Sequence, residues 1–223
     1  MVASEMGVSI NKVRVRVGDT DSVPYDEGPR ASRVTYTEGQ AVMKACSEIK
    51  QAIADGVALP HTVTVEHTAE EREDITYFGA QIAEVHVDRE TGQVDVLRLT
   101  TAHDVGTIIN PLAHQGQIDG GVITGFGLGA TEEFVTDDGQ VLNGSMADYK
   151  LPTIADIPPL ETVLIQTGGG TGPYEAKAIG ELANNAIAAA IANALADAAG
   201  CRIFELPITA ERVYQAIRSN RST

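Results

Sequence analysis

Hydrophobic positions recur at two spacings along this chain, and the switch between them predicts its elements. Residues 1–6 read as a last helical turn stopped by Gly7. Val13, Val15 and Val17 alternate with charged residues and predict a strand over 12–17. Residues 18–29, GDTDSVPYDEGP, carry the Gly, Asp and Pro punctuation of a long loop. A helix follows, capped by Ser32 or Thr35, with Val42, Ala45, Cys46, Ile49 and Ile53 on one face. Cys46 falls on that face as a core thiol. HTVTVEH at 61–67 alternates and predicts a short strand, and 70–74 is an acidic, solvated segment.

The clearest signal is a hairpin. Residues 75–87 and 94–102 are two β-rich runs joined by DRETGQ, and a second turn, DDGQ at 137–140, follows Glu133-Phe-Val. A strand is predicted at 160–165, a long Ala-rich helix over 182–199 ending at Gly200, and a last helix over 210–218 with Thr209 as its cap. No internal repeat is visible. The order of elements reads as α+β: a mixed fold with antiparallel hairpins and packed helices, rather than an alternating parallel sheet.

Composition narrows the function. The 223 residues are 43% hydrophobic and 21% charged, enough to bury a core and too apolar for a disordered polyampholyte. Sixteen bases against 31 acids give a net charge of −15, which argues against nucleic acid or an anionic membrane as partner. The most apolar run, 186–196, is far shorter than the roughly 20 residues of a membrane span. The first ten residues include Glu5 and lack the basic-then-apolar order of a secretory leader, so the expected compartment is the cytoplasm. Two cysteines, Cys46 and Cys201, make neither a disulfide framework nor a metal knuckle. The 22 glycines are conspicuous beside 4% aromatics and no Trp.

Those glycines cluster. Gly116 and Gly120, and Gly121, Gly125 and Gly129, lie four apart, which on a helix strips side chains from a face. Two readings stay open: tight packing against a neighbouring element, or close approach of a flat ligand. Each glycine in a helix costs roughly 0.5–1 kcal/mol relative to Ala, so the cluster needs a reason. At 167–183 a glycine-rich loop follows a strand and precedes a helix, the layout of a phosphate-binding turn, but neither glycine fingerprint of a nucleotide site is present. Glu181 stands at the predicted start of the Ala-rich helix, where a helix N-terminus favours a charged carboxylate. That suits a general base and an ordinary capping residue alike. His61, His67, His86, His103 and His114 show no metal-ligand spacing.

Four blocks in order make the chain resemble the C-terminal part of the molybdopterin-binding subunit of the xanthine dehydrogenase and aldehyde oxidase family, the molybdenum hydroxylases. They are GDTDSVPYDEGPRASR from Gly18; HDVGTIINP from His103, with GQIDGG from Gly116 and GFG from Gly125; DYKLPT from Asp148; and GPYEAKAIGE from Gly172. The resemblance covers nearly the whole chain. It implies Glu181 as the catalytic general base of a hydroxylation that uses water-derived oxygen on an N-heterocycle or aldehyde. It implies Ala31, Ser32, Gly116, Gln117 and Lys177 as cofactor-binding residues, with no side chain ligating the metal directly. Two departures stand out: AIGE from Ala178 where many relatives have Gly-Val-Gly-Glu, and Glu175 at a position that is often glycine.

The family's N-terminal cofactor block is not in this sequence, and two cysteines cannot ligate iron–sulfur clusters. The resemblance therefore implies that 1–223 is the C-terminal half of a molybdenum cofactor-binding domain, with two subdomains at 1–100 and 101–223 as a further division. Its molybdopterin-type cofactor would be shared with a partner chain carrying the N-terminal half, to which the structure preceding the opening helical turn would belong. Iron–sulfur clusters and FAD would sit on an iron–sulfur subunit and a flavin subunit. The rival from another class is a non-catalytic scaffold subunit of such a complex.

Overall fold

The computed structural model describes residues 1–26, 28–68 and 76–220; the acidic stretch at 70–74 and the first residue of the predicted hairpin lie outside them. The described chain divides into two units, neither of them a continuous segment. The first comprises 1–77, 105–109 and 166–178, and the second 78–104, 110–165 and 179–223. A cut at 100/101 would pass through a strand, so the division into 1–100 and 101–223 is replaced by this interleaved one.

In the first unit, α1 (Val2–Met6) ends as expected at Gly7, which adopts the left-handed conformation, φ 64°, of a helix stop. It packs on α2 (Arg33–Ala54), whose inner side buries Thr37, Gly39 and Cys46. Gly39 is obligatory, because a Cβ there would come within 2.7 Å of the Pro173 ring. Two strand expectations fail. Residues 13–17 and 61–68 pair with no other strand among the described residues, and Val15 and Val17 are 74% and 79% exposed. Alternation describes which side chains share a side; a strand also requires a neighbour for its backbone.

The second unit is built on the hairpin. β1 (Gly79–Val87) pairs antiparallel with β2 (Val94–Asp104), with a bulge at Glu84/Val85. The turn closes because Asp88 accepts the Glu90 amide at 2.8 Å while Gly92 takes φ 80°. β5 (Leu160–Ile165) adds to the other side of β2 in parallel register, making the sheet mixed. A small separate hairpin, β3 (Thr136–Asp137) and β4 (Gln140–Val141), turns through Asp138 and Gly139, both at positive φ.

Helix α3 (Pro111–Ala130) contains the whole glycine cluster. Asn110 caps it by accepting the Ala113 amide at 3.2 Å, with Pro111 in the first turn. The Ala-rich segment divides into a 3₁₀ turn (Leu182–Asn184) and α4 (Ile187–Ala199), which ends at left-handed Gly200. In α5 (Ala210–Asn220), Thr209 Oγ1 accepts the Arg212 amide, the cap expected from the sequence. The core of this unit joins Leu99, Ile118, Val122, Ile187, Ile191 and Leu195. Burying each stabilises by about 1.5–3 kcal/mol relative to exposure.

Candidate functional site

In the first unit, two distant stretches of chain meet around a small cavity. Just before α2, Ala31 and Ser32 both take left-handed backbone, φ 47° and 55°, at roughly 1–2 kcal/mol each for non-glycine residues. Ser32 is the N-cap position, yet its hydroxyl makes no capping hydrogen bond. The second stretch is the loop over 166–178. The Gly170 amide donates to the Glu175 carbonyl and the Gly172 amide to the Ala176 carbonyl, both at 3.2 Å, so the glycine loop folds back on itself. Gln40 Nε2 donates to the Thr171 carbonyl at 3.2 Å, and the Lys177 amide to the Val105 carbonyl at 3.1 Å. A phosphate-binding turn needs those glycine amides free and a helix opening behind them. Here two are consumed internally, and the chain continues into a 3₁₀ turn (Pro173–Glu175).

Tyr174 and Glu175 repeat the left-handed backbone, φ 56° and 63°. Glu175, where the resemblance leads one to expect glycine, takes the conformation for which glycine is suited. Tyr174 is anchored from outside the loop: its hydroxyl donates to Glu5 Oε1 at 2.7 Å, and Lys50 Nζ donates to Glu5 Oε2 at 2.8 Å. The Lys50 hydrogen bond, then that of Tyr174, lowers the Glu5 carboxyl below its usual range. The same Glu5 contact pushes the Tyr174 phenol up to about 12.

The cavity between the two stretches holds about 60 Å³. Ala31, Ser32 and Lys177 line it, three residues that the motifs assign to cofactor binding. Arg33, Thr35, Tyr36, Tyr77 and Thr171 add a cation and four hydroxyls. The charged lining is thus cationic, without a carboxylate, in a chain with 31 acids against 16 bases. Such a lining fits an anionic, phosphate-bearing cofactor. The lining residues missed from the sequence were hidden by their dispersal, although Arg33 directly follows the Ala-Ser pair.

The remaining candidates lie in the second unit. The two glycine rows of α3 have different surroundings. A Cβ on Gly121 would lie 2.7 Å from Ala183 Cβ, on Gly125 2.6 Å from the Asn184 carbonyl, and on Gly129 3.0 Å from Ala188 Cα. That row is helix packing. Gly116 and Gly120 have nothing within 4 Å of an added Cβ, and they share the exposed side of α3 with Gln117. Gln117 stands one turn before Gly121, and Glu181 two residues before Ala183, on the two elements that pack together here.

Glu181 is exposed and occupies the cap position of the 3₁₀ turn, without a side-chain capping bond. It precedes the first residue of α4, Ile187, by six positions, so it does not sit in the first turn of the long helix as the sequence predicts. The break has a cause. Gln81 on β1 donates from Nε2 to the Ala183 carbonyl at 2.6 Å and accepts the Ala186 amide at Oε1 at 2.8 Å. Gln81 Nε2 also donates to Thr101 Oγ1 at 3.3 Å, and Thr101 Oγ1 in turn bonds His103 Nε2.

His103 is 1% exposed, and its Nδ1 and the Nε2 of His114 are buried without a hydrogen-bond partner. Burial depresses both imidazoles below their usual 6.5, with His114 adding to the effect on His103.

Comparison with known proteins identifies the family. A family model described as a molybdopterin cofactor-binding domain matches residues 1–70 and 54–158, which include Ala31, Ser32, Gly116 and Gln117. The chain is 32% identical over 260 residues to the xanthine dehydrogenase molybdenum-binding subunit of Escherichia coli O157:H7, covering 96% of this chain and 35% of that one. The aldehyde oxidoreductase molybdenum-binding subunit of the same organism is 30% identical over 249 residues, covering 96% and 34%. The crystal structure of quinoline 2-oxidoreductase from Pseudomonas putida 86 superposes with a TM-score of 0.84 at 26% identity, over 97% of this chain and 34% of that one. The chain therefore spans about a third of the length of the relatives it matches.

Proposed function

The chain belongs to the molybdopterin cofactor-binding domain family, and from that premise we propose that it forms part of the molybdenum site of a multi-subunit hydroxylase. Its substrate class is an N-heterocycle or an aldehyde, in keeping with the xanthine, quinoline and aldehyde enzymes among its relatives. When bound, the molybdenum cofactor supplies the two-electron oxidation of a substrate carbon with oxygen from water. Ala31 and Ser32 present left-handed backbone and a hydroxyl to that cofactor, and Lys177 supplies positive charge. Gln117 offers its side-chain amide, and Gly116 leaves room for close approach.

Glu181 is the general base. Its carboxylate takes up the proton released as oxygen is delivered to carbon, and its exposure leaves it accessible. A partner chain carrying the N-terminal half of the subunit completes the site. An iron–sulfur subunit and a flavin subunit carry the electrons away through their clusters and FAD, and the complex works in the cytoplasm.

The observation that carries this reading is the cationic, hydroxyl-lined cavity formed by Ala31, Ser32 and Lys177, residues about 145 positions apart in a strongly acidic chain. The test of the catalytic role is Glu181→Gln in the assembled complex. Turnover is expected to fall by at least about 10³-fold while molybdenum content stays near that of the wild type. Retained turnover removes the role from Glu181, and a complex that binds cofactor without any turnover in the wild type makes the chain a scaffold.

A further inference from the structure

We propose that Gln81 is a positioning residue for Glu181, an inference that rests on the reading of Glu181 as the base. The segment over 182–199 has the composition of one uninterrupted helix, with Ala at ten of its eighteen positions. In such a helix the Ala183 carbonyl accepts the amide of Ile187, and the Ala186 amide donates to the carbonyl of Leu182. In this chain both groups are taken by one side chain from β1. Gln81 Nε2 holds the Ala183 carbonyl at 2.6 Å, and its Oε1 holds the Ala186 amide at 2.8 Å. The helix consequently starts afresh at Ile187, and the backbone just after Glu181 forms a separate turn.

The orientation of the Gln81 amide follows from chemistry. A carbonyl only accepts and a backbone amide only donates, so one flip alone satisfies both. The second Nε2 proton goes to Thr101 Oγ1 at 3.3 Å, and Thr101 is itself tied to buried His103. Both N–H donors of the Gln81 amide and one of its two acceptor positions are thereby used. On the opposite side, Gly121 brings α3 to backbone distance of Ala183. The turn that carries Glu181 is clamped from both directions, and a general base gains from being held to within a fraction of an ångström of its working place. Without the Gln81 amide, Ala183 and Ala186 recover helical partners. The turn is then drawn into α4, and Glu181 moves with it.

The test uses the assembled holoenzyme with four variants. Gln81→Leu is expected to lower kcat by about 10–100-fold, with KM and molybdenum content unchanged. Thr101→Val, which frees the amide without touching the turn, lowers kcat by a few-fold. Gln81→Glu keeps the acceptor for Ala186 but donates to Ala183 only when its carboxyl is protonated. Its kcat relative to wild type therefore rises as pH falls, a dependence that a purely structural loss does not produce.

A Gln81→Glu profile parallel to wild type, or molybdenum lost in proportion to kcat, overturns the proposal. Should Gln81→Leu fail to assemble, the Gln81→Glu profile and Thr101→Val decide. Glu181→Gln separates the two readings. If it retains turnover, the base assignment fails whatever Gln81 does; if it is inactive while Gln81→Leu is fully active, only the role of Gln81 fails.

Discussion

Gly121 of α3 and Ala183 of the turn after Glu181 meet so closely that a Cβ on the glycine would fall 2.7 Å from the Cβ of the alanine. On another side of the same helix, Gly116 and Gly120 face open space. A single glycine-rich helix thus carries two rows with different surroundings, one settled by packing and one open.

The two rows respond oppositely to alanine. Gly121→Ala and Gly125→Ala force a side chain into a neighbouring Cβ or backbone carbonyl, and each is expected to destabilise by about 1–3 kcal/mol. Gly116→Ala and Gly120→Ala meet no neighbour and gain about 0.5–1 kcal/mol of helix propensity. Urea midpoints at constant slope report both signs. If the open row admits the cofactor, Gly116→Ala also lowers molybdenum content while raising stability. Raised stability with full molybdenum content removes Gly116 from the site.

Tyr174 gives the loop over 166–178 an alkaline limit. Its phenol is raised from the usual 10 to about 12 in the folded state. A group raised on folding contributes stability that is complete below its unfolded value and is lost as pH climbs through the folded one. Stability is therefore expected to fall between pH 10 and about 12. In Tyr174→Phe that part of the pH dependence disappears. Tyrosinate absorbance followed through the same range identifies the titrating group; an unchanged slope in the variant contradicts the assignment.

His103 sets the opposite limit in the second unit. Burial depresses His103 and His114, so the unfolded chain binds protons more readily than the folded one below the usual imidazole value of 6.5. Stability is complete above that pH and is lost as pH falls below it. Charging is unfavourable because His103 Nδ1 and His114 Nε2 have no partner to receive a hydrogen bond. The urea midpoint of wild type should drop from pH 7 to pH 5 more steeply than that of His103→Gln. Equal slopes contradict it.

The hairpin, the final helix with its Thr209 cap and the Gly7 and Gly200 stops were legible because each depends on residues adjacent in sequence. What the sequence concealed depends on distant partners. Val13, Val15 and Val17 alternate as a strand does, but strand formation requires a second backbone. Nothing in the composition of 182–199 shows that Gln81, about a hundred residues earlier, interrupts it. Left-handed backbone at Ala31, Ser32, Tyr174 and Glu175 is equally invisible, because none of the four is glycine. The site motifs were readable as words; that Ala31, Ser32 and Lys177 line one cavity required the fold.

The central claim, that this chain contributes to a molybdenum site completed by a partner, is tested most directly by elemental analysis for molybdenum. The chain purified alone and the chain purified with its partner subunits are measured side by side. The account expects close to one molybdenum per copy in the complex and essentially none on the chain alone. Stoichiometric molybdenum on the isolated chain, or none in an active complex, would contradict it.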